Sequence, residues 1–208
     1  MENIKDYTSF NSSDVNESFY KFAVNAKGEI RFGLGAVKGV GEGAVEAIVN
    51  ERKENGNYTA FDDFMKRVDL RSANKRTLES IVCAGGFDLF DLKRSEYFSK
   101  EDNGQTYIEK MIKFGNKIKD SENSNQFDMF GESAEASIQA PVPNPVLPWT
   151  TMELLSREKE VVGIYISGHP LDEFRTEMTE FCNVKVADCQ ALIPFTNREI
   201  AFGGIISG

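Results

Sequence analysis

Residues 32 to 43 read FGLGAVKGVGEG, five glycines in eleven positions from Gly33 to Gly43, and the chain runs from them straight into an apolar helical pattern. Glycine loses more conformational freedom on folding than any other residue, so a backbone kept this bare serves a positive φ or a close approach. Three architectures compete for it. A Walker A loop ends in Gly-Lys-Ser/Thr, so that lysine and hydroxyl reach phosphate and magnesium, and no such tripeptide occurs here. A dinucleotide-binding turn needs G-x-G-x-x-G and an acidic residue about 20 positions on that closes a second strand. Gly39-Val40-Gly41-Glu42-Gly43 has the wrong last spacing, and Asp62 and Asp63 fall inside an amphipathic helical pattern.

The third architecture fits: a helix-hairpin-helix with a short first helix around Leu34 to Lys38, a hairpin Gly39-Val40-Gly41, and a second helix from about Gly43. Gly39 and Gly41 are expected to take positive φ and Val40 to plug the two helices. Unpaired N–H groups at the second helix start then face outward and can hold a phosphate, aided by the helix dipole. The plain alternative is a glycine-rich turn with no ligand. A second copy is expected over residues 61 to 84: a helix from Phe61 to Val68, a turn through Asp69 to Ala73, and a helix bearing Asn74, Lys75 and Arg76. It lacks the Gly-x-Gly hairpin, so its grip rests on Lys75 and Arg76, which otherwise form a solvated helix start. The candidate DNA-binding residues are therefore Lys38, Gly39, Val40, Gly41, Gly43, Asn74, Lys75 and Arg76.

Around this centre, residues 1 to 20 read as an extended lead-in, and FYKFAVNAKGEIRFGL as a hairpin turning at Asn25 to Gly28. The second helix should stop near Asn55-Gly56, and the next should start with Thr59 as N-cap and Asp62 and Asp63 in its first turn. A further helix runs from about Ala73 to Ala84 and ends at Gly85-Gly86. Residues 101 to 120 are helical, with a break around Asn103-Gly104. DSENSNQFDMFGESAEASIQAPVPNPVLP then changes character, with four prolines, and residues 121 to 149 read as a flexible linker. Order resumes over residues 150–182 as a helical segment, with a capped helix from Thr150 or Thr151 through Val162, then GIYISGHPLDEF and a further helix to about Phe181, and NREIAFGGIISG alternates like a strand. The fold expected is mainly α, with a small N-terminal hairpin.

The net charge of −9 speaks against nucleic acid until it is divided: residues 1–20 carry −3, residues 21–100 carry +2 and residues 101–208 carry −8. The glycine-rich part thus permits a phosphate contact, which depends on local field more than on total charge. No run approaches the roughly 18 apolar residues of a membrane span, and MENIKDYTSF lacks the basic and apolar regions of an export signal. No membrane partner and a cytoplasmic location are expected. Cys83, Cys182 and Cys189 are odd in number and lack zinc spacing, which fits reduced thiols. His169 has no second ligand or nucleophile at a useful spacing and reads as part of a structural turn. No catalytic constellation is visible, and neither metal nor cofactor is called for.

Three separated motifs, EIRFGLGAVKGVGEGAVEAIVNER, NKRTLESIVCAGGFD and EKEVVGIYISGHPLDEF, resemble the bacterial replicative DNA polymerase III alpha subunit family, in the family's order and after DVNESFYKF. The resemblance implies that residues 21–100 are the tandem helix-hairpin-helix region ending the fingers and that residues 101–182 belong to the clamp-binding region. Residues 183–208 then open a truncated OB-type β domain. The PHP domain, thumb and palm, with the palm's catalytic aspartates, are absent. The resemblance further implies a parent DNA-directed DNA polymerase, a nucleotidyltransferase using Mg, of which this segment is inactive alone. Its partners would be double-stranded DNA without sequence preference, the sliding clamp, and other holoenzyme subunits through the parent chain. Gln126-Phe127-Asp128-Met129-Phe130 resembles the clamp-binding peptide of such polymerases, with Met129 and Phe130 as apolar anchors and Gln126 and Asp128 beside them. A stand-alone helix-hairpin-helix binding or repair module and a nucleotide-dependent enzyme are the rival readings.

Overall fold

The computed structural model describes residues 10–24, 28–123, 139–184 and 199–205. The protein is mainly helical, with a three-stranded sheet of two-residue strands. Strand β2 (Ala23–Val24) pairs antiparallel with β3 (Ile30–Arg31), the hairpin expected from the sequence, with Gly28 at φ +77° on its return side. Strand β1 (Phe10–Asn11) lies parallel to β3 on the other edge. Seven α-helices follow: α1 (Glu42–Asn55), α2 (Phe61–Arg67), α3 (Lys75–Cys83), α4 (Arg94–Tyr97), α5 (Tyr107–Asn123), α6 (Thr151–Val162) and α7 (Arg175–Glu180).

The described residues fall into two compact units divided between Ile166 and Ser167. In the first, α2, α3 and α5 surround an aromatic centre in which Phe61, Phe64, Phe87 and Tyr97 are all at most 2% exposed. Their rings meet edge-on or offset: Phe61 and Tyr97 at 4.8 Å and 89°, Phe64 and Phe87 at 4.9 Å and 77°. Such geometry adds about 0.5–1.5 kcal/mol per pair to the area buried. Helix α5 approaches α2 closely at Gly115, where a Cβ would strike the Met65 carbonyl and Leu70.

Residues 14–18, expected as extended chain, fold instead as a turn closed by Ser18 N–H donating to Asp14 O at 2.7 Å. It is sewn into the core. Val15 is fully buried and its amide donates to Gly86 O, while Asn16 and Tyr58 exchange side-chain and backbone hydrogen bonds at 2.8 Å each way. Arg52 reaches out of α1 to donate to the carbonyls of Val15 and Glu17. The start of α2 also differs from expectation. Ala60 takes the N-cap position, and Asp63 reaches back to accept from Thr59 N at 2.9 Å, so the pair is bonded in the sense opposite to a threonine cap.

The residues after 138 return to the first unit. Ala140 packs on the core, Asn144 Nδ2 donates to Lys100 O, and Arg157 stacks over the Trp149 ring at 4.3 Å. Helix α6 is capped by Thr150 Oγ1, which accepts from Glu153 N, and ends at Gly163 in the left-handed region. The second unit contains α7 and, before it, a tight turn at His169. The His169 amide donates to Asp172 Oδ2, and His169 Nδ1 accepts from Leu171 N. The strand expected over NREIAFGGIISG is not found in its described part: residues 199–205 carry no regular structure and are tied instead to Asn183, which bridges to Glu199 and Ala201, while the remaining residues lie outside the described ones.

Candidate nucleic-acid interface

The hairpin is built from Leu34 onward. Leu34–Ala36 form one 3-10 turn, Val37 is buried, and the chain reverses at Gly39 with φ +89°. Only Gly39 needs the left-handed region. Gly41, expected to share it, is extended at φ −82° and ψ 160° as the N-cap of α1. The reversal is complete one residue earlier because Val40 turns into the core, where it is 7% exposed. Gly41 and Gly43 are bare for another reason: no atom lies within 4 Å of where a Cβ would stand on either, so both present backbone to open space.

That backbone carries unsatisfied donors. Ala44 N and Val45 N both donate to Gly41 O, and among the described residues no hydrogen bond engages the amides of Gly41, Glu42 or Gly43. Three N–H groups thus converge at the positive end of a fourteen-residue helix, the usual equipment for receiving an anion. Glu42 lies in the same turn with its carboxylate exposed, which stabilises the free helix start and opposes a phosphate.

Helix α3 meets this hairpin directly. Thr77 Oγ1 donates to Gly39 O at 3.2 Å, and the Arg76 side chain passes Gly39 with Nε 3.4 Å from its Cβ position. Lys38 and Arg76 are both exposed, and neither side chain is hydrogen-bonded or ion-paired among the described residues. Lys75 is differently placed. Its Nζ lies 2.8 Å from Glu109 and 3.7 Å from Glu79; the Glu109 contact raises the ammonium pKa, while Lys75 and the Thr106 amide hold the Glu109 carboxyl down at about 2. Asn74 is the N-cap of α3, its Oδ1 accepting from Thr77 N. In the turn before it, Asp69 accepts from Ser72 Oγ and from the amides of Arg71 and Ser72, and those bonds lower its pKa. The amides of Asn74, Lys75 and Arg76 at the start of α3 are likewise without a hydrogen bond among the described residues, but these residues carry side chains where Gly41 and Gly43 carry none. The contribution of the 61–84 segment is Arg76, delivered beside Gly39.

Sequence reasoning missed the brace behind the hairpin. Lys38 N donates to Val161 O near the C-terminus of α6, at 2.8 Å. Helix α6 is itself fixed through Glu158, fully buried, whose Oε1 lies 3.5 Å from Arg94 Nη1 and whose Oε2 accepts from Ile166 N. Arg94 also donates to Cys83 O at the end of α3 and pairs with Asp88. A glutamate in an otherwise apolar helical face is the only sequence sign of it. No cluster of three or more His, Cys, Asp or Glu able to hold a metal occurs among the described residues, and no helix there is long and apolar enough to cross a membrane. Gln126, Asp128, Met129 and Phe130 lie outside the described residues.

Comparison with known proteins agrees with this geometry. Residues 9–97 match the family described as "Helix-hairpin-helix motif". The chain is 36% identical over 205 residues to the DNA polymerase III subunit alpha of Pseudomonas aeruginosa, covering 93% of this chain and 17% of that protein. It is 32% identical to the same subunit of Vibrio cholerae over 83% of this chain and 14% of that one, and 35% identical to that of Borreliella burgdorferi over 83% and 15%. The chain therefore spans between 14% and 17% of the length of these relatives.

Proposed function

We propose that this chain is a segment of a bacterial replicative DNA polymerase of the DNA polymerase III alpha kind, and that its own task is to hold duplex DNA by the backbone and to tether to the sliding clamp. The observation that carries the DNA reading is the juxtaposition of three amides at Gly41–Gly43, unbonded among the described residues, with two cations unpaired there, Lys38 on the hairpin and Arg76 beside it on α3. Such a site takes a phosphodiester and reads no base, so binding is independent of sequence. The identity to polymerase alpha subunits runs through 93% of the chain, well past the helix-hairpin-helix match, which favours a polymerase segment over a stand-alone binding module.

The test is fluorescence anisotropy with a labelled duplex at low salt. Gly41→Val is the decisive variant: its φ and ψ suit valine and nothing lies within 4 Å of the Cβ it adds, so the fold should survive while the approach to the amides closes. An unchanged affinity in a folded Gly41→Val protein sinks the reading. No nucleotidyl transfer is expected of this chain unaided, since that reaction uses metal-bound carboxylates to activate and orient the attacking hydroxyl; primer extension by the purified chain should fail.

The clamp reading rests on the sequence Gln126-Phe127-Asp128-Met129-Phe130, two large apolar anchors beside an amide in a Ser/Asn-rich stretch. Calorimetric titration of a peptide covering Asn123 to Glu132 with the organism's clamp should show micromolar binding, and Met129→Ala with Phe130→Ala should abolish it. Absence of heat at high micromolar peptide removes this part of the proposal and leaves the DNA reading standing.

A further inference from the structure

The hairpin is held on two sides by helices that are also tied to each other. On one side Thr77 Oγ1 of α3 donates to Gly39 O; on the other Lys38 N donates to Val161 O of α6. The loop is closed where Arg94 links Cys83 O, the last residue of α3, to the carboxylate of Glu158, one turn before Val161 on α6. Glu158 makes this link in full burial and satisfies its second oxygen with the amide of Ile166, just past the α6 C-cap. A carboxylate with no exposure, bonded on both oxygens, has one arrangement that avoids an uncompensated buried charge. The position of Val161 O, one turn along the same helix, follows from it.

We propose that Glu158 is a positioning residue for phosphate binding: by fixing α6 to Arg94 it holds Val161 O on the Lys38 amide and so presets the Gly39–Gly43 backbone for an incoming phosphodiester. This rests on the DNA reading of the hairpin. Glycine-rich loops gain most from such support, because each unrestrained glycine must be ordered when the ligand binds. Glu158 touches no ligand. It removes an ordering cost that the hairpin would otherwise meet at each encounter. The same arrangement places the brace on a helix that follows residues 124–138 in the chain, so the hairpin depends on a part of the sequence about 120 residues away, held there by a hydrogen bond to Lys38 and an ion pair with Arg94.

The experiment uses the whole chain and two readouts, amide exchange of Lys38 by NMR and duplex affinity by anisotropy. Glu158→Ala should speed Lys38 exchange and weaken duplex binding by about tenfold, the size expected for one lost buried hydrogen bond. Ile118→Ala, in α5 and away from the hairpin, serves as a control matched for loss of Tm and should alter neither. Glu158→Gln, which keeps one acceptor oxygen and puts an NH2 donor where the other stood, should fall between wild type and Glu158→Ala in both, and it reads the role even if Glu158→Ala folds poorly. If Glu158→Ala, or Glu158→Gln where Glu158→Ala does not fold, lowers Tm yet leaves Lys38 exchange and affinity at wild-type values, or if Ile118→Ala reproduces the effects, the positioning role is wrong. Should the wild-type chain bind no duplex, the DNA reading fails, while Lys38 exchange alone still decides whether Glu158 orders the hairpin.

Discussion

Glycines a residue or two apart do different work here, and substitutions separate them. Gly39 is needed for its φ of +89°, and a methyl there would also press on Ser80 Oγ at 3.1 Å, so Gly39→Ala should cost about 1–3 kcal/mol. Gly41 is needed only for access. Chemical denaturation should therefore show a large loss for Gly39→Ala and a small one for Gly41→Val, with both losing duplex affinity; a Gly41→Val loss equal to that of Gly39→Ala would mean the second glycine is structural too. The cysteines divide in the same manner. Burial raises the Cys83 thiol to about 11, so at pH 8 almost none is thiolate and it should resist thiol reagents until the protein unfolds. Cys182 is half-buried and should react first. Mass-mapped labelling checks this, and rapid native labelling of Cys83 counts against the packing described for α3.

At the scale of elements, the sequence revealed what is local. The hairpin β2–β3, the end of α1 at Asn55-Gly56 and the third helix were legible because turn glycines and apolar spacing act within a few residues. The start of α5 carried a signal as well: Thr106 and Glu109 form a capping box, Thr106 N donating to Glu109 Oε2 at 2.8 Å and Glu109 N to Thr106 Oγ1. What stayed hidden depends on contacts between distant residues. Nothing local says that Val15 closes the core, that Lys75 turns to α5, or that α6 returns to brace Lys38. Gly115 is another such case. Alanine is a better helix former by about 1 kcal/mol, yet its Cβ would enter the Met65 carbonyl, and overpacking of this sort costs about 1–3 kcal/mol. Gly115→Ala should thus lower Tm; a rise would show that α2 and α5 pack less closely than described. The Lys75–Glu109 strap between α3 and α5 has a pH signature. The Glu109 carboxyl is depressed from its usual 4.5 to about 2, so its contribution is complete above pH 4.5 and is lost as pH falls toward 2; the raised Lys75 keeps it intact up to at least pH 10.5. Both groups are about a third to a half exposed, so solvent screening leaves about 1 kcal/mol or less. The Tm of Glu109→Gln should lie below wild type at pH 7 and converge with it near pH 2.

For the whole molecule, charge decides how the hairpin binds. The chain carries −9, and −8 of it falls after residue 100, so on the proposed reading the long-range field opposes DNA and the attraction comes at close range, from Lys38 and Arg76 beside the bare amides. Backbone amides hold a phosphate without displacing counterions of their own, whereas each cation that neutralises a phosphate releases about 0.9 of an ion. The logarithm of the duplex affinity should accordingly fall against the logarithm of salt with a slope of about −2, shallow for a DNA-binding protein, and the dissociation constant should lie toward the weak end of the 10⁻⁴ to about 10⁻⁶ M range of non-specific binding. Single substitutions then distinguish the parts. Arg76→Ala or Lys38→Ala should each bring the slope near −1, because one released ion is lost. Lys75→Ala should leave it unchanged, since that ammonium already faces Glu109 and Glu79. Gly41→Val should weaken binding at every salt concentration, by blocking approach rather than by removing charge. Anisotropy titrations from 20 mM to about 200 mM salt span the range in which these slopes separate. A wild-type slope steeper than about −4 would require several more phosphate contacts than Lys38 and Arg76 can make, and a slope altered by Lys75→Ala would place the duplex across α3 and α5 instead of on the Gly39 hairpin.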